Sequence, residues 1–367
     1  MMKVVIAGAG TAGTAAANEL AGKAEVYLLN GEPALPYYRM RLEEVVEGKG
    51  RDKITMRPLP WYEGKGIKLV SARLEEILPE KKEVLLSDGT ALSYDKLVLT
   101  LGSKARRFPI PGREKGIYAL RKMEDAEAIR AFMLATPGPV VVIGGGLLGL
   151  EAAASIARAF SVKVTALETA DHILPRQLDK ERSLYLKGKL LEAGVEVRTG
   201  SSAVSGDDES LTLSTGERIE AKLVIFSIGV IPEVEAARKA GLETGRGIVV
   251  DSRMRTSDED IYAAGDCAEH KGVCTGLVAP SNAMGQTAAK DIQGIAAEYV
   301  PAAPVTQLKV AGVDIISMGS IASEPHEEAY GNGKIVKFVR DGIIEGIILI
   351  DNKKALRQAQ ALLGTAF

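Results

Sequence analysis

Two glycine triplets carry the clearest chemistry in this chain: Gly8, Gly10 and Gly13 in GAGTAG, and Gly144, Gly146 and Gly149 in GGGLLG. Each follows a short apolar run, KVVIA or VVVI, and leads into an alanine-rich stretch that reads as a helix. In a strand-turn-helix unit of this spacing the first glycine makes the tight turn, the second lets the backbone approach a pyrophosphate, and the third lets helix and strand pack closely. Amides at the helix start then meet the anion. A lone match is a weak signal, since such a glycine turn also arises by chance. Two matches, each in the required context, predict two nucleotide sites.

The strand after the second triplet, VKVTALE, ends at Glu168, where a carboxylate can accept hydrogen bonds from both ribose hydroxyls of a dinucleotide. A 2'-phosphate would meet that charge at close range, so NADH is expected over NADPH. The corresponding residue after the first triplet is Asn30, which bonds a ribose without charge, with Glu32 as an alternative acid. The two cysteines are Cys267 and Cys274, and Cys267, inside GDCAE, reads as a packed small residue. The set Cys267, His270 and Cys274 lacks a fourth ligand and a standard spacing, so no metal is expected. His172 and His326 read as surface or satisfied histidines. Trp61 and Tyr62 either stack on a planar ring or pack a short helix, and packing is the expectation. Tyr37 and Tyr38, beside Arg39 and Arg41, are better placed to line a cofactor site.

The elements that must position these groups come in two copies. Beyond the triplets, LLSDGTALSYDKLVLTLGS (85–103) echoes TLSTGERIEAKLVIFSIGV (212–230), matching Gly89 to Gly216 and Gly102 to Gly229. Each copy reads strand, glycine turn, helix, strand, then a hairpin on a DG or TG turn, then a buried strand ending in glycine. A helix-like segment (281–297) and a PAAP linker (301–304) follow, and residues 305–367 alternate apolar and polar around turn signals at Ala311–Gly312, Gly331–Gly333 and Asp341–Gly342. At 367 residues with 46% hydrophobic content the chain is long enough for two or three domains. A net charge of -2 with mixed signs gives no nucleic-acid footprint. No apolar run reaches membrane-spanning length, and two cysteines are too few for a disulfide framework. A soluble cytoplasmic protein is expected.

GAGTAG, GGGLLGLE and TSDEDIYAAGDCAE together resemble the pyridine nucleotide-disulfide oxidoreductase superfamily of flavoproteins. The segments LPYYRMRLEEVVEG (35–48), YDKLVLTLGS (94–103) and LRKMEDAEAI (120–129) are most similar to the branch of NAD(P)H:rubredoxin oxidoreductases, rubredoxin and ferredoxin reductases and nitrite reductase flavin modules. The resemblance implies an α/β fold of two Rossmann-like domains related by internal duplication, plus a small C-terminal α+β domain. The implied partition is an FAD domain at 1–107 and 227–300, an NAD(H) domain at 108–226 and the small domain at 301–367.

The same resemblance implies that FAD lies on Gly8, Gly10, Thr11, Ala12 and Gly13, with Asn30 and Leu74 at its edges. Thr100, Gly102, Gly265 and Asp266 would complete that site, the aspartate against the ribityl chain and pyrophosphate. Arg39, Arg41 and Arg121 would stand near cofactor phosphates. Ala279, Pro280 and Ser281 would present a helix start to the flavin pyrimidine. NADH would lie on Gly144, Gly146, Leu147, Leu148, Gly149 and Glu168, with Glu151 the catalytic carboxyl near the nicotinamide and Gly229 bordering the same ring.

Three departures from the family pattern stand out. The usual Ala-Thr-Gly loop is Thr100-Leu101-Gly102, the proline after the arginine is Met40, and Glu43 and Glu44 stand where many relatives have a lysine. An anion there would disfavour the reduced, anionic flavin. Disulfide reductases of the superfamily need a CxxxxC pair, and the water-forming oxidases and coenzyme A-disulfide reductases need a cysteine near residues 40–45; this chain has neither. Hydride is therefore expected to pass from NADH to flavin, and electrons directly onward to an external one-electron carrier such as rubredoxin. The alternatives are an NADH oxidase or diaphorase using dioxygen, and a flavin-binding assembly or sensing subunit with little turnover. No nucleic acid or membrane partner is expected, and monomer and dimer both stay open.

Overall fold

The computed structural model describes residues 1–330 and 333–367, so the turn expected at Gly331–Gly333 falls largely outside the described residues. By internal packing the chain forms two compact units: residues 1–39, 50–104 and 230–302 in the first, and 40–49, 105–229 and 303–367 in the second.

The first unit is built on a five-stranded parallel sheet in the order Ile261–Ala263, Lys96–Leu99, Lys3–Ala7, Glu25–Leu29, Ile67–Val70. The second unit repeats the order with Ile117–Ala119, Leu223–Phe226, Val140–Ile143, Val164–Leu167 and Val195–Arg198. Parallel strands covered on both faces need apolar residues at successive positions rather than alternate ones. Val140–Ile143, Val164–Leu167 and Leu223–Phe226 are accordingly buried throughout.

Each sheet has the same companion. Leu74–Leu78, Glu83–Leu86 and Ala91–Ser93 form a three-stranded antiparallel sheet in the first unit, and Ala203–Gly206, Ser210–Leu213 and Arg218–Glu220 form its twin in the second. The DG and TG turns agree in detail, with Gly89 at φ +83 and Gly216 at φ +84. The duplication legible in the sequence is thus a duplication of fold.

The second unit also holds a five-stranded antiparallel sheet in the order Val305–Val310, Val313–Gly319, Ile343–Ile350, Gly333–Arg340, Glu324–Tyr330, followed by the helix Leu356–Leu362. The expected turns at Ala311–Gly312 and Asp341–Gly342 join adjacent strands with both residues at positive φ, as a tight two-residue hairpin requires. Residues 40–49 belong here because the helix Leu42–Val46 packs on the helices Met123–Ala135 and Leu147–Phe160. Among the described residues, no helix is long and apolar enough to cross a membrane.

In the first unit the fingerprint helix Thr11–Leu20 lies against the helix Val278–Ile292. The latter begins a turn before the residues expected to start it, and Pro280 is accommodated because a first-turn residue needs no amide donor. The two helices meet at Gly285, where a Cβ would stand 2.2 Å from the Ala12 carbonyl oxygen. Gly285→Ala must push them apart. Overpacking of this kind costs about 1–3 kcal/mol, which lowers Tm by several degrees in a unit of this size; thermal unfolding of the variant checks it, and an unchanged Tm would refute the tight crossing.

Candidate functional site

The two glycine turns are built alike. Gly8 sits at φ +115 and Gly144 at φ +118, a region that favours glycine. A Cβ there would lie 2.2 Å from Thr100 O and 2.3 Å from Ser227 O respectively. The third glycines let the helix settle on the turn: a Cβ at Gly13 would come within 1.9 Å of Gly8 O, and one at Gly149 within 2.4 Å of Gly144 O. The middle glycines, Gly10 and Gly146, cap the two helices and have no atom within 4 Å of where a side chain would go. Each helix start therefore faces open space with amides that have no acceptor inside the helix, a cradle suited to a pyrophosphate. Thr11 and Ala12 begin one helix, Leu147 and Leu148 the other, with Leu148 exposed.

Around the first cradle the unit gathers most of the expected residues. The buried Thr100 hydroxyl donates to Gly8 O (2.7 Å) and Ala7 O (3.2 Å), so this side chain braces the turn. Gly102 at φ +73 leads to Ser103, whose hydroxyl donates to Asp266 Oδ2 at 2.7 Å. Asp266 follows Gly265 in a one-turn 3-10 helix, and a Cβ at Gly265 would lie 3.1 Å from the Ala12 side chain and 3.7 Å from Ser281 Oγ. The start of the first fingerprint helix, the aspartate turn and the first turn of Val278–Ile292, which holds Ala279, Pro280 and Ser281, thus converge.

Arg39 pairs with Glu32, and its Nη1 donates to the Tyr37 hydroxyl at 2.8 Å, which in turn donates to Glu32 Oε2 at 2.6 Å. Burial opposes the Arg39 charge, but Tyr37, Glu32 and Asp266 outweigh it and hold the guanidinium above its ordinary value. Asn30 Nδ2 donates to Glu32 O (3.0 Å) and Ala34 O (2.8 Å), so its amide shapes the loop that carries the acid. Leu74 is buried at the start of the hairpin sheet. Tyr62 is fully buried on the helix Leu59–Gly64, while the cations of Arg57 and Lys65 stand 5.3 and 5.2 Å from the centre of the Trp61 ring.

In the second cradle Glu168 accepts from Gly145 N (3.0 Å) and Ala170 N (2.9 Å), which fixes its carboxylate beside the turn. Gly145 has no room for a side chain, since its Cβ would stand 2.9 Å from Glu168 Cβ. Gly229 sits at φ +92 with its carbonyl accepting from Arg106 N at 3.0 Å. Arg41 and Arg121 belong to this unit, not to that of Arg39. Arg41 is bidentate on Glu44, and Arg121 N donates to Asp125 Oδ2 at 3.0 Å. Glu151 is half-buried, takes a 3.4 Å bond from Lys309 N, and is pushed by burial up to about 7.

Sequence reasoning missed Ser103 and Gly145. The only signal for Gly145 was the extra glycine in GGG where the first copy has Ala9. Both cysteines are free thiols. Cys267 is buried with Sγ 3.4 Å from Leu99 O, and burial pushes its thiol up to about 12; burial raises Cys274 as well. No cluster that could hold a metal occurs among the described residues. His270 contacts Ser252 and Tyr299, His172 contacts Asp171 and His326 stacks on Phe367.

Comparison with known proteins agrees with this geometry. Residues 2–289 match the family model described as pyridine nucleotide-disulphide oxidoreductase. The chain is 33% identical to the assimilatory nitrate reductase electron transfer subunit of Bacillus subtilis over 98% of its own length, spanning about half (49%) of that protein. It is 33% identical to the NADH-rubredoxin oxidoreductase of Clostridium acetobutylicum, covering 92% of this chain and 86% of that one. A solved ferredoxin reductase from Rhodopseudomonas palustris superposes with a TM-score of 0.90 at 29% identity, over 100% of this chain and 96% of that one. The chain therefore belongs to the pyridine nucleotide-disulphide oxidoreductase family, whose members bind FAD and NAD(P)H.

Proposed function

We propose that this protein takes reducing equivalents from NADH and delivers them, through FAD held by the first unit, to a small one-electron carrier protein, with rubredoxin the leading candidate. The observation that carries the reading is the pair of matched cradles, each with an open middle glycine, in a chain whose two thiols are both pushed up by burial. With no thiolate to relay an electron pair, the acceptor is reduced directly. A relative named NADH-rubredoxin oxidoreductase is consistent with that acceptor.

Bound FAD supplies acceptance of a hydride and its release as single electrons. The protein's part is orientation and electrostatics. Gly10 and the amides behind it would receive the FAD pyrophosphate, Arg39 would add a fixed cation, and Asp266, steadied by Ser103, would accept hydroxyls of the ribityl chain. The amides of Val278–Ile292 would favour negative charge at their end of the flavin. In the second unit Gly146 would receive the NADH pyrophosphate and Glu168 the ribose diol, while Glu151 would stand on the nicotinamide side. Arg41 and Arg121 would serve phosphates from the second unit.

Three outcomes test this reading. On rapid anaerobic mixing with NADH the yellow holoprotein should bleach, and the reduced protein should reoxidise faster with rubredoxin than with air. Absence of bleaching would leave only a flavin-binding assembly or sensing role, and preference for oxygen would make it an oxidase. Asp266→Ala should be purified with much of its FAD missing, since it removes a charged acceptor, and full occupancy would remove Asp266 from the site.

Glu168 should set a preference for NADH of more than about tenfold in kcat/KM, because loss of a charged hydrogen bond is worth roughly 1.5–3 kcal/mol and a 2'-phosphate would add repulsion. Glu168→Arg should flatten or reverse that preference. Equal use of both dinucleotides by the unmodified protein would contradict the assignment.

A further inference from the structure

The helix Leu42–Val46 carries a cluster of acids onto the helices Met123–Ala135 and Leu147–Phe160, and the cations around it are shared out unevenly. Glu44 has Arg41, with Nε–Oε1 at 2.5 Å, and Lys49 at 3.0 Å. Glu47 has Arg158, Lys49 at 3.5 Å and the Ser155 hydroxyl at 2.7 Å. Arg130, from the Met123–Ala135 helix, donates to Val46 O at 3.0 Å. From the strand Val305–Val310 only the backbone amide of Lys309 reaches Glu151, while its Nζ lies 3.8 Å from Asp314. That leaves Glu43 and Glu151, both half-buried, with no cation paired to either among the described residues.

The two titrate accordingly. Burial, and then the neighbouring Glu151, Glu44 and Glu47 charges, push Glu43 up to about 7; burial does the same for Glu151. The Glu151 charge bears on Glu43, and carboxyls that act on one another lose their protons in coupled steps. The ring of NAD+ is a cation and that of NADH is neutral. A cation brought beside such a pair favours its ionised form, so docking must expel a proton, and by linkage rising pH must tighten the cationic ligand.

We propose that Glu43 and Glu151 act as one carboxyl pair that reads the redox charge of the nicotinamide ring, giving up a proton to solvent when NAD+ docks and keeping it when NADH docks. Glu43 is a positioning residue, acting through Glu151. The inference rests on the reading of Glu151 as the carboxyl on the nicotinamide side. Its consequence is that product release is easiest on the acid side of neutrality, where the pair keeps its proton and NAD+ is held least firmly.

The test is isothermal titration calorimetry of the FAD-loaded protein in buffers of different ionisation enthalpy. The ligands are NAD+ and tetrahydro-NAD, whose neutral ring cannot reduce the flavin. Between about pH 6 and 8 the NAD+ Kd should fall several-fold, towards the tenfold that one unit of displacement gives, with proton release near pH 7. Tetrahydro-NAD should show neither effect. Glu43→Gln, which leaves one carboxyl, should move the NAD+ transition to lower pH and cut proton release at pH 7 by at least half. NAD+ binding without linked proton release in the unmodified protein overturns the pair and leaves the dinucleotide site standing, a result that does not depend on the variant. Equal pH dependence for the two ligands, or undiminished release in Glu43→Gln, overturns it too. Failure of both ligands to bind would bring down the second-unit site and the pair with it.

Discussion

The structure depends on a contact that no side chain can enter: the third glycine of each fingerprint lying on the carbonyl of the first, with 1.9 Å between an imagined Gly13 Cβ and Gly8 O and 2.4 Å at Gly149. That approach sets the helix directly over its strand and, in each unit taken by itself, leaves open space at the helix start. The amides of Thr100 in one unit and Ser227 in the other donate to carbonyls of the central strand, Ala7 O at 2.9 Å and Ile143 O at 2.8 Å, and close the turn from behind. In both sheets this joint sits on the central strand, Lys3–Ala7 in one and Val140–Ile143 in the other.

Charge is what separates the twins. The first cradle is bordered by a guanidinium, Arg39, kept cationic by Tyr37, Glu32 and Asp266; the second presents a carboxylate, Glu168, held by two backbone amides. A half-buried cation adds to the pull of a helix start on phosphate, whereas a carboxylate at a strand end suits a sugar diol. The same backbone cradle is thus dressed with opposite charge in the two units.

The sequence made the duplicated fold legible because glycines at positive φ are backbone requirements that survive without knowledge of neighbours. Gly8, Gly89, Gly144 and Gly216 all belong to that kind. The place of Glu168 directly after the strand Val164–Leu167 was legible too, since an apolar run marks where a buried strand ends. Contacts between segments distant in sequence were not legible: Ser103 with Asp266, and residues 40–49 packed on the helices Met123–Ala135 and Leu147–Phe160. The acids Glu43 and Glu44 look alike in sequence, yet Arg41 holds Glu44 below the ordinary carboxylate range and burial pushes Glu43 up to about 7. Which outcome each meets depends on where Arg41 and Lys49 reach, a tertiary fact with no local signature.

The first sheet takes its edge strand, Ile261–Ala263, from beyond the whole of the second sheet, whose five strands lie between Ile117 and Phe226. On the ribosome this reverses the order suggested by the numbering. A nascent chain that has emerged as far as Phe226 already has every strand of the later sheet, while the earlier one still lacks an edge and the helix Val278–Ile292 that covers its fingerprint. Since domains close as units during synthesis, the amino-terminal half must wait, with the outer edge of Lys96–Leu99 unpaired, for its own completion. The interval is one in which a chaperone has a defined edge to protect.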